Sequence, residues 1–186
     1  MKNAIVSEDF AKKFATEKET PYTRWVRGEG LDIISSFYVP DLHIVGLKPW
    51  PRRGGRGVYL NHDASRTSND CYVCEIPPGK SLAPQRQLYE EMIYVLDGTG
   101  YEVHDGVRYD WKAGDVAVVH MNCVHQHFNA STKKPARALV LKPKPLIMFM
   151  NMLFQQSVIP RPTQAACPAG EGYRARNDET NFNHDA

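Results

Sequence analysis

From residue 58 to residue 143 the chain is a run of short β-forming segments, cut at close intervals by turn residues. "GVYLNH", "DCYVCEIP", "QLYEEMIYVLDG", "GYEVHDG", "VRYDWKAG", "DVAVVHM", "VHQHFNA" and "ARALVLKP" follow one another, and "PPGK", "DGTG", "HDG", "KAGD" and "STKKP" supply the breaks. β-Branched and aromatic residues suit a pleated, half-buried surface. Glycine accepts the positive φ of tight hairpins, so "DGTG" and "HDGV" read as hairpin turns. No long helical pattern interrupts the series. Short strands at such spacing predict an all-β fold, an antiparallel sandwich or barrel.

The flanks divide the chain into three parts. Residues 1–57 carry a helix and leading strands, 58–155 the barrel, and 156–186 an extended arm or linker rich in Pro and Gly. Phe10, Ala11, Phe14 and Ala15 recur at helical spacing behind Ser7, a candidate N-cap, which predicts a short helix over residues 7–19. Pro21 and two glycines in "TPYTRWVRGEG" are expected to end it, and "LDIISSFYV" and "DLHIVGLKPW" read as strands. "PLIMFMNMLF" reads as a buried strand or short helix. At ten residues it is half the length of about 20 that a membrane span needs.

The whole chain is 186 residues, enough for one domain with a real core. Its 23 basic and 21 acidic residues leave a formal net charge of +2, which gives no electrostatic case for nucleic acid or a membrane surface as partner. Nothing suggests a nucleotide cofactor, and with no secretory leader pattern the expected location is cytoplasmic. Cys71 and Cys74 form a CxxC, but in a strand such residues point to opposite faces. With no second CxxC to complete a zinc site, both read as reduced packing residues in a reducing compartment.

Candidate chemistry lies on two strands. By the two-residue period, Gln85, Gln87, Tyr89 and Glu91 share one face, and His125, His127 and Asn129 share another. If both faces line one interior, two imidazoles and a carboxylate can hold a divalent metal with open positions. His104 reads as an exposed residue of a hairpin turn. Arg52 and Arg56, in the loop "PWPRRGGRG", are candidates to grip a substrate carboxylate, with a solvated turn as the alternative; Asn129 is a further substrate-binding candidate.

These segments resemble the two motifs of the cupin family. Gly79, five residues, Gln85, one residue, Gln87, three residues, Glu91, six residues and Gly98 reproduce the spacing of the first. Gly114, five residues, His120, Asn122, His125 and Asn129 reproduce the second, with His120 in place of the usual Pro and Asn122 in place of Gly. The wording "YVCEIPPGKSLAPQRQLYEEMIYVLDGTG" is similar to one half of two-cupin proteins of the gentisate 1,2-dioxygenase type. The resemblance implies an antiparallel double-stranded β-helix, the cupin jelly-roll barrel. It also implies a metal held by two motif-one histidines, the glutamate and the motif-two histidine. Glu91 and His125 keep their places, whereas Gln85 and Gln87 stand where imidazoles are expected, and amide oxygens are weaker donors to transition metals. His127 is the candidate to complete a Glu91–His125–His127 set for Fe(II), Mn(II) or Zn(II).

Two main expectations remain open. One is a metal-dependent, dioxygenase-like enzyme acting on an aromatic or other small organic acid. The other is a metal-free, non-enzymatic cupin that binds a small molecule or serves as the degenerate half of a two-cupin protein. In either case the expected assembly is a homodimer.

Overall fold

The computed structural model describes residues 21–36, 38–61, 68–160 and 173–176, and within them the chain is an all-β jelly roll. One sheet carries β1 (Ile33–Ser35), β2 (Lys48–Trp50), β3 (Gly55–Asn61), β4 (Asp70–Ile76), β6 (Glu91–Asp97), β9 (Val116–Val119) and β11 (Ala136–Lys142). The other carries β5 (Gln85–Gln87), β7 (Thr99–His104), β8 (Val107–Lys112), β10 (His125–Asn129), β12 (Gln155–Pro160) and β13 (Tyr173–Arg176). Two short helices flank them, α1 (Pro21–Gly28) and α2 (Lys144–Phe149). The first sheet runs β1-β3-β4-β11-β6-β9 with β2 on β3; the second runs β13-β12-β5-β10-β7-β8. All pairs are antiparallel except β1 with β3.

The main core gathers side chains from α1, the first sheet and α2. Trp25 of α1 meets Tyr59, and Trp50, Tyr59 and Tyr72 meet one another edge to face, with centroids 5.3–5.9 Å apart. Such contacts add stabilisation beyond the apolar area they bury. β4 is buried along its whole length, so both its faces pack. Cys74 joins the cluster of Tyr72 and Trp50, while Cys71 joins a second cluster with Val58 and Leu96. The two thiols are free and on opposite faces, as the strand period requires, and burial pushes both up to about 12.

Several segments depart from the sequence reading. The helix expected over 7–19 lies outside the described residues. The stretch expected to end it is itself helical, with Pro21 at its start, where a missing N–H costs nothing. "DLHIVGLKPW" is a turn over 42–44 and irregular chain, with only Lys48–Trp50 in a strand. "PLIMFMNMLF" is helical at its start, burying Met148 and Leu153 but leaving Phe149 and Met152 exposed. The "arm" is joined to the barrel, because β12 crosses the 155/156 boundary and Gln155, Gln156 and Ser157 pair with Gln87, Arg86 and Gln85. The segment read as one strand, "QLYEEMIYVLDG", turns a corner after Gln87 and changes sheet.

The motif spacing has a backbone cause. Gly79, Gly98 and Gly114 all sit at positive φ, and so does Asn122, at 66°. Asparagine is among the few residues that tolerate that region, which is why it can stand in a glycine slot. Gly100 is needed for a different reason, close approach: a Cβ there would overlap both the Phe128 carbonyl oxygen and the Trp111 ring. Gly100→Ala is therefore expected to destabilise the fold by about 3 kcal/mol, read from the urea midpoint; a loss below about 1 kcal/mol would refute this packing.

Candidate functional site

The pocket is built where β5 and β10 pair. Gln85 is the register partner of His125, and β7 lies on the other side of β10, setting His104 opposite His125 and Glu102 opposite His127. Alternation turns Gln85, Gln87, Glu91, His125, His127 and Asn129 inward, all at most 6% exposed. The five candidate metal positions thus enter one interior, even though the strand bends between Gln87 and Glu91.

Glu91 has a counter-ion of its own. Lys142 Nζ, from the last residue of β11, stands 3.8 Å from Glu91 Oε2, with both side chains at most 3% exposed. Lys142 Nζ also donates to Tyr72 Oη at 3.2 Å, and Tyr72 Oη donates to Glu91 Oε1 at 3.2 Å. Gln87 Nε2 donates to Glu91 Oε2 at 3.1 Å. Burial works to raise the Glu91 pKa, but Lys142 and Arg53, with smaller help from His125 and His127, hold it well below the ordinary carboxylate range. Arg53, 3% exposed, is the arginine of the loop that faces this interior.

The other two arginines go elsewhere. Arg52 grips Glu29 with Nη2 at 2.6 Å and Nε at 3.2 Å, and lies over Trp25. Arg56 donates to the Leu47 carbonyl at 2.8 Å and approaches Glu75. Neither borders the cavities described below, and these contacts give their reading as substrate clamps no support. Asn129 is likewise engaged with backbone. Its Nδ2 donates to the carbonyls of Ile76, Pro77 and Lys134, and its Oδ1 accepts the Ser131 N–H. It staples two loops together.

The histidines sort by their second nitrogen. His125 Nδ1 lies 3.1 Å from the Cys123 carbonyl, so its proton belongs there and Nε2 carries the lone pair. Burial pushes His125 down to about 3, so the ring is neutral at physiological pH. His127 Nδ1 stands 3.1 Å from Glu102 Oε2, and His104 Nε2 stands 3.3 Å from the same oxygen. Burial works to raise Glu102, but the two imidazoles keep it below the ordinary range. His127 is thus partnered by Glu102 rather than Glu91. His104 is the last residue of β7 and 7% exposed, not an exposed turn residue.

The residues at the motif position do not fit a metal ion. The charge of Glu91 is already met by an ammonium, and Gln87 turns its N–H rather than its oxygen to the carboxylate. Among the described residues, the His/Cys/Asp/Glu group whose ligand atoms come within 4.8 Å of one another is His104, His120 and Cys123, and it does not include Glu91, His125 or His127. Instead the interior presents unpartnered polar atoms: among the described residues, the acceptors Gln87 Oε1 and His125 Nε2, the donor Arg53 Nε and the ring nitrogen His127 Nε2 are buried without a hydrogen-bond partner. A narrow cavity of about 30 Å³, bordered by Glu91, Arg53 and His127, has room for about one water-sized group. A wider groove of about 680 Å³, walled by His104, His120 and Tyr109, lies beyond it. Glu102 and Trp111 border both spaces.

Sequence reasoning missed Lys142, Tyr72, Arg53 and Glu102. Only Glu102 left a local signal: it sits two residues before His104 in "GYEVHDG", so the strand period puts both on one face. The others reach the pocket from distant strands or a loop.

Two outcomes follow. Lys142→Met is expected to cost about 3–5 kcal/mol, because it leaves a buried carboxylate unpaired. The Lys142→Met/Glu91→Gln double variant should lose at least about 1 kcal/mol less than the sum of the singles in urea unfolding; strict additivity would refute the pairing. His125 gives a pH signature. Its folded pKa is depressed from the ordinary 6.5 to about 3, so only the unfolded chain takes up the proton as pH falls below 6.5, and stability declines. Wild type should therefore lose about 2 kcal/mol more than His125→Gln between about pH 7 and pH 5; parallel curves would exclude a buried neutral imidazole.

Comparison with known proteins agrees with this architecture. A family model described as a cupin domain matches residues 72–142. No curated protein matches the chain. Among solved structures, salicylate 1,2-dioxygenase variants from Pseudoaminobacter salicylatoxidans superpose with it. One in complex with gentisate gives a TM-score of 0.51 at 13% identity, over 56% of this chain and 29% of that one. Another gives 0.52 at 13% identity, over 82% of this chain and 38% of that one. The chain thus spans about a third of the length of these enzymes, and at such identity the likeness is one of fold. No described helix is long and apolar enough to cross a membrane. Two facing sheets, the glycine-spaced motif strands and the cupin-domain match across residues 72–142 agree, and the described part of the chain has the cupin jelly-roll fold.

Proposed function

We propose that this chain is a small-molecule-binding cupin whose interior works without a metal at the motif position. The observation that carries this reading is the buried Lys142–Glu91 pair. In a cupin of the metal type the glutamate neutralises a cation; here an ammonium tethered to β11 fills that role. A second cation beside Glu91 would face both Lys142 and Arg53 at close range, where the low dielectric makes like-charge repulsion strong.

The ligand follows from what the pocket lacks. Gln87 Oε1 and His125 Nε2 each need a donated hydrogen, and Arg53 Nε needs an acceptor. The enclosed cavity takes a water-sized group, and the groove beyond takes the body of a small molecule. A hydroxylated organic compound meets both demands, with a hydroxyl in the cavity and its ring or chain between Tyr109 and Trp111. Arg53 could pair with a carboxylate that reached the interior, which keeps small hydroxy acids in the candidate set.

The competing reading is a metal-dependent, dioxygenase-like enzyme acting on an aromatic or other small organic acid. It is favoured by His125, whose lone pair faces inward while Nδ1 is held by a carbonyl, the orientation that metal-ligating histidines adopt.

One set of measurements separates them. Protein reconstituted with Fe(II), Mn(II) or Zn(II) is analysed for bound metal in wild type and Glu91→Gln, and oxygen uptake is followed with gentisate and salicylate. The binding-module reading expects equal metal content in the two proteins and no oxygen uptake. It also expects hydroxylated aromatic acids to raise the melting temperature of wild type but not of Gln87→Leu. Metal lost with Glu91→Gln, or oxygen consumed with either acid, would restore the enzyme.

A further inference from the structure

We propose that His104, His120 and Cys123 form a site for a thiophilic divalent cation, of which Zn(II) is the type, at the rim of the barrel and apart from Glu91. The three come from different places: His104 ends β7, His120 follows β9, and Cys123 lies in the loop leading to β10. Their ligand atoms all lie within 4.8 Å of one another. Around a tetrahedral zinc, ligand atoms stand about 3.3–3.8 Å apart, so side-chain rotation is enough to close the set. Two imidazoles and a thiolate are a soft-to-borderline donor set that favours zinc over magnesium, calcium or manganese. The fourth position would be open to the groove, whose wall includes His104 and His120.

Two further features mark this as a built arrangement. The first is an outer carboxylate. Glu102 Oε2 stands 3.3 Å from His104 Nε2, at ion-pair distance but without hydrogen-bond alignment, and that buried nitrogen has no hydrogen-bond partner among the described residues. A carboxylate holding one imidazole nitrogen fixes the ring and leaves the other for a metal, as in carboxylate–histidine–zinc sites. The second is a clamped loop. Asn122 N–H donates to the Gln87 carbonyl at 2.6 Å, and Arg86 grips Asn122 Oδ1 through Nε at 2.9 Å and Nη2 at 2.6 Å. Val124 N–H donates to Asp105 Oδ1 and Asp105 N–H donates to the Val124 carbonyl, each at 2.9 Å. Cys123 is held between these two clamps, next to the turn residue Asn122 at φ 66°.

Access and proton balance are also met. The His120 side chain is 64% exposed, giving the cation a way in, while Cys123 is 1% exposed and shielded from bulk oxidants. On binding, the thiol releases its proton to solvent and gives up a long hydrogen bond to the Val124 carbonyl, 3.5 Å. Glu102 is a positioning residue here. Because it also borders the inner cavity, a cation at the rim would be coupled to the interior through one carboxylate.

The test is a Co(II) titration of the full chain under reducing conditions. Wild type is expected to bind one equivalent with tetrahedral visible absorption and a near-ultraviolet thiolate-to-cobalt band. Cys123→Ser should lose that band. His120→Ala changes an exposed side chain and leaves the fold intact; it should weaken Zn(II) binding in a competition assay by at least about tenfold. Glu102→Gln should weaken it by about 10- to 100-fold while keeping the thiolate band, the mark of positioning rather than ligation. A folded wild type without a tetrahedral cobalt spectrum would overturn the proposal. So would a spectrum and affinity unchanged in Cys123→Ser and His120→Ala, or Co(II) binding lost in Glu91→Gln but kept in Cys123→Ser, which would place the metal at the motif position.

Discussion

The interior depends on where the charge of Glu91 goes. A carboxylate this deeply buried is tolerated only with a partner and with hydrogen bonds to its oxygens. Lys142 supplies the charge, and Tyr72 and Gln87 supply donors. The placement is a matter of register. β11 lies between β4 and β6, paired so that Lys142 is opposite Asp70 and Leu141 is opposite Met92. The last residue of β11 therefore ends beside the first residue of β6, which is Glu91. One slipped pair would send Lys142 to the outer face and leave the carboxylate stranded.

With that pair in place, the remaining polar groups divide by chemistry. Near Glu91 stand Gln87 Oε1 and the neutral His125 Nε2, acceptors without donors among the described residues, and Glu91 itself borders a space hardly larger than a water. One strand over, β7 presents Glu102 and His104 to β10, and this carboxylate is shared by His104 and His127. The rim adds His120 and Cys123. The barrel thus holds two distinct polar environments on either side of β10, one balanced by a lysine and one rich in imidazole.

Much of this was legible along the chain. Gln85 and Gln87 on β5, and His125, His127 and Asn129 on β10, are buried at alternate positions, as a two-residue period predicts, whereas Glu91 is buried by the separate alternation of β6 and Tyr89 lies in the corner between. The glycine spacing was a reliable sign of the fold, since those positions need positive φ. What each inward group touches was not legible. Arg52, Arg53 and Arg56 look alike in "PWPRRGGRG", yet only Arg53 borders the inner cavity: Arg52 leaves the β2–β3 turn toward Glu29, and Arg56 already belongs to β3, where it reaches Leu47 and its cross-strand neighbour Glu75. His104 looked like a turn residue because the glycine that makes the turn comes two positions later.

The sequence alone determined the class of fold, the strands that line the pocket and the identity of the groups that face inward. These rest on local rules: propensity, alternation and the φ that glycine and asparagine permit. Only the tertiary structure decided that Glu91 is answered by Lys142 from a strand far along the chain, that His127 belongs to Glu102, and that Asn129 is a staple. Those pairings are set by which strands lie side by side and in what register, and long-range pairing is the one thing that local periodicity does not encode.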